Sequence, residues 1–345
     1  LHTSVSFDAI SFGTTLGPED AYRFALGEEI TSSTGVKGKL CRPLDFLVVA
    51  DHAVKMGTMG ARTDGMPELM TDPTVRKWHK QLQAGGEEAM KPYYAIVNSI
   101  GKKPLPEVLT NERLTRTVWE QQIAAAEKYN DPGRFTAFIG YEWSSNAGGN
   151  NLHRVVVYRD DANRAEQMLP FSSLISENPE DLWDWMSQYE KKTNGQLLAI
   201  PHNGNLSNGR MFQDTQFDGS PITPEWAQTR SNFEPIYEVT QIKGDGEAHP
   251  FLSPNDEFAD YETWDKGNLN LSVPKEDKML RHEYARSGLK LGLEIEQKTG
   301  TNPYQFGMIG STDAHTSLAA VAEDNFFGKL PHVCLLYTSP SPRDL

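Results

Sequence analysis

Cysteine is nearly absent from this sequence. The 345 residues include two, Cys41 and Cys334, too few for a disulfide framework or a cysteine-rich zinc site. Basic residues are also scarce, 33 Lys and Arg against 47 Asp and Glu, for a formal charge of −14. That balance argues against a basic face that grips nucleic-acid phosphates. It leaves room for an anionic small-molecule substrate, because bound cations reverse the field locally. Apolar runs are short, as in Phe46-Leu-Val-Val-Ala50, well below the roughly 18 residues that a membrane helix needs. Dinucleotide, P-loop and GxSxG fingerprints are missing, and no repeat of about 20–50 residues recurs. The expected partner is therefore a small molecule, with neither nucleic acid nor membrane.

The 7 Trp, 12 Tyr and 15 Phe supply a core and argue against disorder. Short apolar runs rich in β-branched and aromatic residues predict strands at Leu44–Ala50, Phe135–Tyr141, Val155–Tyr158, Gln196–Ile200, Ile236–Ile242 and Phe306–Ile309. Between them, helices are predicted at Pro18–Leu26, Pro73–Lys80, Glu112–Tyr129, Pro179–Thr193 and Glu276–Thr299. The alternation means parallel strands with crossovers, hence a barrel or a doubly wound sheet. Gly204–Arg230 and Gly244–Asn270 read as long loops of the kind that form lids or bind substrate.

The chain opens on Leu1-His2 without Met or signal-peptide pattern, and it closes on a Ser/Pro-punctuated stretch, Cys334–Leu345, unlike anything before it. Residues 1–333 are expected to be a single domain and 334–345 a non-native, disordered tail resembling a translated sequencing adapter. Any targeting information is expected to be lost. A periplasmic or secreted location is favoured over a cytoplasmic one, and the oligomeric state is left open.

Chemistry gathers at strand ends. The strand at Leu44–Ala50 runs into Asp51-His52, Phe135–Tyr141 into Glu142, Leu197-Leu-Ala-Ile-Pro201 into His202, and Phe306–Ile309 leads to Asp313-Ala-His315. In parallel α/β folds the C-terminal ends of strands are the functional face. In Asp313-Ala-His315 an extended backbone sends both side chains to one face. His153 precedes its strand, and His2 and Asp8 offer a further His and carboxylate near the start. Each residue alone also reads as a core, capping or salt-bridging group; together they point to a metal centre. Imidazole and carboxylate without thiolate suit Zn²⁺, Mn²⁺ or Fe²⁺. His79, His249, His282 and His332 read as surface residues.

The phrases Arg42-Pro-Leu-Asp-Phe-Leu-Val-Val-Ala-Asp-His52, Gly140-Tyr-Glu-Trp-Ser144, Ile200-Pro-His-Asn-Gly-Asn205 and Gly310-Ser-Thr-Asp-Ala-His-Thr316 resemble the polymerase and histidinol phosphatase (PHP) superfamily of metal-dependent hydrolases. They are closest to a bacterial, mostly uncharacterised PHP-like branch, from residue 1 to about 330. The resemblance implies a distorted (β/α)7 barrel with long loops over its C-terminal face and two to three divalent ions. It assigns His2, Asp8, His52, Glu142, His153, His202, Asp313 and His315 as ligands, with Glu142 bridging two ions. The first His of the family's opening His-x-His would lie just before Leu1.

The activity expected is a metal-dependent hydrolase, a phosphoesterase that uses a metal-bridging hydroxide. Glu142, Asp313, His315 and Asp51 are the expected catalytic residues, Asp51 acting on a ligating His from behind. Arg154, Lys243, Asn203 and Asn205 are the expected substrate-binding residues, although Arg154 and Lys243 read equally as surface ion pairs. Hydrolysis of a carboxylic ester, lactone or amide, and a metal-binding barrel without activity, are the alternatives.

Overall fold

A computed structural model describes residues 1–54, 56, 70–99, 112–322 and 325–331, with the backbone alone described for 96–99. Within the span read as one domain, the chain gathers into two compact units. The first comprises Leu1–Tyr141, Tyr158–Pro170 and, among the described residues, 312–331; the second comprises Glu142–Val157 and Phe171–Ser311.

In the first unit the order is α1 (Phe7–Ser11), α2 (Pro18–Ala25), β1 (Ile30–Thr31), β2 (Lys37–Gly38), β3 (Phe46–Val48), α3 (Pro73–Ala84), α4 (Gly86–Ser99), α5 (Glu112–Tyr129), β4 (Thr136–Phe138) and the short α6 (Ala162–Ala165). Helix starts follow local chemistry. Pro18 opens α2, where the Asp20 carboxylate takes the Gly17 N–H at 3.0 Å; Asp72 caps α3 by accepting from the N–H groups of Thr74 and Val75, filling donors that a helix start leaves open. α5 buries Leu114, Val118, Trp119, Gln122 and Ile123 along one stripe. The Gln122 amide donates to the carbonyls of Val49 (3.0 Å) and Gly140 (2.9 Å). It thereby ties the end of β3 to the start of the next strand.

That strand, β5 (Gly140–Trp143), carries the chain into the second unit, which continues through β6 (Arg154–Tyr158), α7 (Pro179–Thr193), β7 (Leu197–Pro201), α8 (Pro224–Phe233), β8 (Ile236–Gln241), β9 (Gly244–Asp245), α9 (Asp277–Leu280), α10 (Ala285–Thr299) and β10 (Gly307–Gly310). Two sheets of three strands form, ordered β5-β6-β7 and β10-β8-β9. Met211, Phe212, Tyr237, Leu291, Ile295 and Tyr304 make its core. α10 comes close to the chain beyond it at Gly292, where a Cβ would stand 2.1 Å from Asn302 Oδ1.

The expected (β/α)7 barrel is corrected by this topology: the described residues form four separate sheets of two or three strands in a mixed α/β fold, and no closed ring. The alternation of strand and helix anticipates parallel neighbours, which occur as β3 with β4 and β8 with β10. It does not oblige successive pairs to join, and strands of two to six residues leave little ladder for joining.

Most predicted elements are present, with local differences. Phe135–Tyr141 breaks at Ile139 into β4 and β5, and Glu276–Thr299 breaks into α9 and α10. The Asn/Gly/Pro-rich stretch from Gly204 ends in a helix, because Thr223 caps the Trp226 N–H and Pro224 fits the first turn of α8. The tail, 334–345, lies outside the described residues. No helix among the described residues is long and apolar enough to cross a membrane.

Candidate metal centres

In the first unit the N-terminal segment is laid against two others by backbone bonds. Ala50 N–H donates to Leu1 O (2.9 Å), His2 N–H to Ala314 O (2.8 Å), and Ser317 N–H to His2 O (3.1 Å). Asp51-His52 follows β3, α1 places Asp8 in its first turn, and a left-handed Asp313 (φ +46°) turns the chain before His315. Three buried imidazoles converge as a result. The His2 ring lies 4.3 Å from His52 and 4.2 Å from His315, and one nitrogen of each falls within 4.8 Å of the others.

Carboxylates complete the group. Asp8 Oδ2 is 3.1 Å from His52 Nε2 and 2.8 Å from His315 Nε2, and Asp313 Oδ1 is 2.9 Å from His2 Nε2. Proton accounting shows what this set fits. His315 Nδ1 lies 2.8 Å from the Asp313 carbonyl oxygen, which only accepts, so Nδ1 carries the hydrogen. In the neutral ring Nε2 then presents a lone pair to a carboxylate oxygen. Burial pushes the His315 imidazole well below its usual range, toward that neutral form. Burial also opposes ionisation of Asp8, and its carboxyl is held well below the usual range only by positive charge at His315 and His52. A carboxylate oxygen and a ring nitrogen at this separation need positive charge between them, which either a proton on Nε2 or a divalent cation supplies.

The second unit repeats the arrangement with one carboxylate and two histidines. Glu142 stands on β5, His153 immediately before β6 and His202 immediately after β7, and His202 N–H donates to His153 O (3.3 Å). Glu142 Oε1 is 2.5 Å from His153 Nδ1, and Oε2 is 3.6 Å from His202 Nε2; all three side chains are buried. Their donor atoms again lie within 4.8 Å of one another. Ser144 Oγ donates to Glu142 Oε1 at 3.0 Å. Behind His153, Asn146 Oδ1 accepts from Nε2 (3.1 Å), while Nδ1 faces Glu142.

All eight expected ligands thus fall into one group or the other, seven of them buried and Asp8 half-buried. Asp51 is fully buried and accepts from Thr3 N, Thr3 Oγ1 and Ser6 Oγ, each at 2.7 Å; it touches the chain that holds His2 rather than a reacting position. Arg154 is corrected. Its guanidinium is 1% exposed and bonded to Glu234 (2.9 Å) and the Leu152 carbonyl, so it offers nothing to a substrate. Asn205 braces its loop, donating to the carbonyls of Lys243 and Trp264 (3.1 Å each). Asn203, in a left-handed turn after His202, accepts from Gln241 (2.9 Å) and keeps a buried Nδ2 without a hydrogen-bond partner among the described residues. Lys243 is half-buried.

Among the histidines read as surface residues, His249 is 8% exposed and paired with Asp265 (3.1 Å), and His282 is half-buried with Nδ1 2.7 Å from Phe212 O. His79, also half-buried, pairs with Gln83, and His332 lies outside the described residues. Ser6 and Asn146, which stand behind the His2 and His153 imidazoles, escaped the sequence reading. A hydroxyl or amide a few residues from a histidine carries no signal until the fold sets it there.

Two histidine–carboxylate groups thus bring donor atoms close enough that they could hold metal ions. The chain belongs to the family described as "Protein of unknown function (DUF3604)", whose model matches residues 1–341 and so extends into the segment read as a tail. Searches of curated proteins and of solved structures return no match.

Proposed function

We propose that the chain is a metal-dependent hydrolase of the PHP kind, a phosphoesterase that works with two to three divalent ions, Zn²⁺, Mn²⁺ or Fe²⁺. The observation that carries this reading is the close approach of the Asp8 carboxylate to His52 and His315, beside the converging nitrogens of the buried His2, His52 and His315. A donor set of imidazole and carboxylate without thiolate suits these borderline cations. When bound, such ions supply Lewis acidity that activates water near neutral pH and neutralises charge on a phosphoryl group.

The chain's own residues divide the remaining work. His2, Asp8, His52, Asp313 and His315 hold metal in the first unit, and Glu142, His153 and His202 hold it in the second. Ser144 fixes the Glu142 carboxylate by donating to it. Asp313 and His315 orient the attacking water. Asn203, with its open amide beside His202, and Lys243 bind the anionic group of the substrate. Hydrolysis on this plan needs no serine or cysteine nucleophile.

The test is a panel of aryl phosphate mono-, di- and triesters beside aryl carboxylic esters, assayed with Mn²⁺ or Zn²⁺ and again with EDTA. Release of the aryl alcohol from at least one phosphate, lost on chelation, is expected. Turnover confined to carboxylic esters would move the reading to that bond. Stoichiometric metal with no turnover on any ester would make the chain a metal-binding module.

A further inference from the structure

We infer that Ser6 is a positioning residue: its hydroxyl, locked by Asp51, commits His2 to the tautomer with hydrogen on Nδ1 and so turns the Nε2 lone pair to metal. Three bonds meet at Ser6 Oγ. It donates to Asp51 Oδ1 at 2.7 Å, receives the His52 backbone N–H at 3.1 Å and lies 2.9 Å from His2 Nδ1. A hydroxyl has one hydrogen. With that hydrogen directed to a carboxylate, which only accepts, the contact with His2 forms only if Nδ1 is the donor.

Asp51 is itself held in place. Thr3 donates to both of its oxygens, and the same Thr3 hydroxyl accepts from Val5 N–H at 3.2 Å. Each donor in the chain Thr3, Asp51, Ser6, His2 thus has one direction, and reversing the last link would break the Ser6 bond to Asp51. Because all of these groups are buried, water offers no substitute.

The bland reading of Ser6 is that of a helix cap. It occupies the N-cap position of α1, where a serine hydroxyl ordinarily accepts from the backbone of the first turn. Here the side chain makes no such bond. Its hydroxyl serves Asp51 and His2 instead, beside a group of donor atoms that converge.

This inference rests on the metal centre of the proposed function and needs no turnover for its test. Zn²⁺ affinity is measured by competition with a chromogenic chelator for the wild type, Ser6→Ala and the hydroxyl-retaining Ser6→Thr. Nitrogen NMR of histidine-labelled, zinc-loaded wild type reports which ring nitrogen of His2 carries hydrogen. Zinc bound through His2 Nε2 with hydrogen on Nδ1 is expected, together with affinity about 10- to 100-fold weaker in Ser6→Ala and recovered in Ser6→Thr. Hydrogen on Nε2 in the zinc-loaded wild type would overturn the inference. So would a Ser6→Ala protein with unchanged affinity, even if less stable to heat, since that is what a purely structural serine predicts. A chain that takes up no zinc overturns the inference together with the metal centre. One that binds zinc as described and hydrolyses nothing overturns the hydrolase reading alone.

Discussion

In the second unit, Glu142, His153 and His202 stand on or beside three strands of one sheet, and a backbone bond between the two histidines sets their spacing. In the first, His2, Asp8, His52, Asp313 and His315 come from both ends of the sequence and a strand end between them. Loop-to-loop bonds such as His2 N–H to Ala314 O gather them. The sheet-borne group needs little beyond its strands. The loop-borne group depends on side chains that link loop to loop, Asp51 foremost, with bonds to Thr3 and Ser6. Similar donors are therefore held with different sensitivity to what lies behind them.

The largest effect should come from deleting a donor. Glu142→Ala removes the only carboxylate among the three residues of the second group. Its metal affinity should fall by more than the roughly 100-fold that loss of a supporting partner causes, as read by calorimetric titration with Mn²⁺. Unchanged affinity would remove Glu142 from the ligands.

Arg154→Met comes next. Breaking a buried ion pair costs about 3–5 kcal/mol, and Glu234 keeps Arg230 (3.1 Å) and Trp183 (2.8 Å) as partners, so a value near the lower end is expected in urea unfolding. Metal affinity should not change. A variant of normal stability that fails only in substrate binding would return Arg154 to the role that its place after His153 suggests.

Asn146→Ala sharpens the comparison. Asn146 is to His153 what Ser6 is to His2, but it is anchored through its backbone, N–H donating to Glu177 (3.1 Å) and carbonyl accepting from Gly149 N–H (2.7 Å), and the sheet fixes His153 independently. Its effect on affinity should stay near 10-fold, the weak end of the range for such partners. An effect larger than that of Ser6→Ala would reverse the ranking of the two units.

The smallest effect concerns pH. Burial raises the Glu238 carboxyl from 4.5 to about 7. A group whose folded value is raised favours the folded state while protonated, so this contribution is present below about pH 4.5 and is lost as pH rises through 7. Glu238→Gln should flatten the decline in stability between those limits, as measured by melting across a pH series. An unchanged slope would show that Glu238 titrates normally.

How far the sequence reveals this molecule differs between the same two regions. His202 and Glu142 are visible because a strand's apolar run stops at them, and Asp51-His52 is visible for the same reason. The strand and helix runs are legible because burial imposes their period, as in α5. Sheet closure is not, since alternation specifies neighbours and says nothing about how many join. Arg154 looks available beside a ligand motif, and only the fold brings Glu234, 80 positions later, against it. Ser6 carries no signal in the sequence, and only the tertiary approach of Asp51 sets its hydroxyl behind His2.

A crystal of the chain grown with Mn²⁺ or Zn²⁺, with anomalous scattering recorded at the metal edges, tests the central claim most directly. Peaks among His2, Asp8, His52, Asp313 and His315 and among Glu142, His153 and His202 are the predicted result. Well-ordered side chains at both groups with no anomalous peak at saturating metal would contradict it.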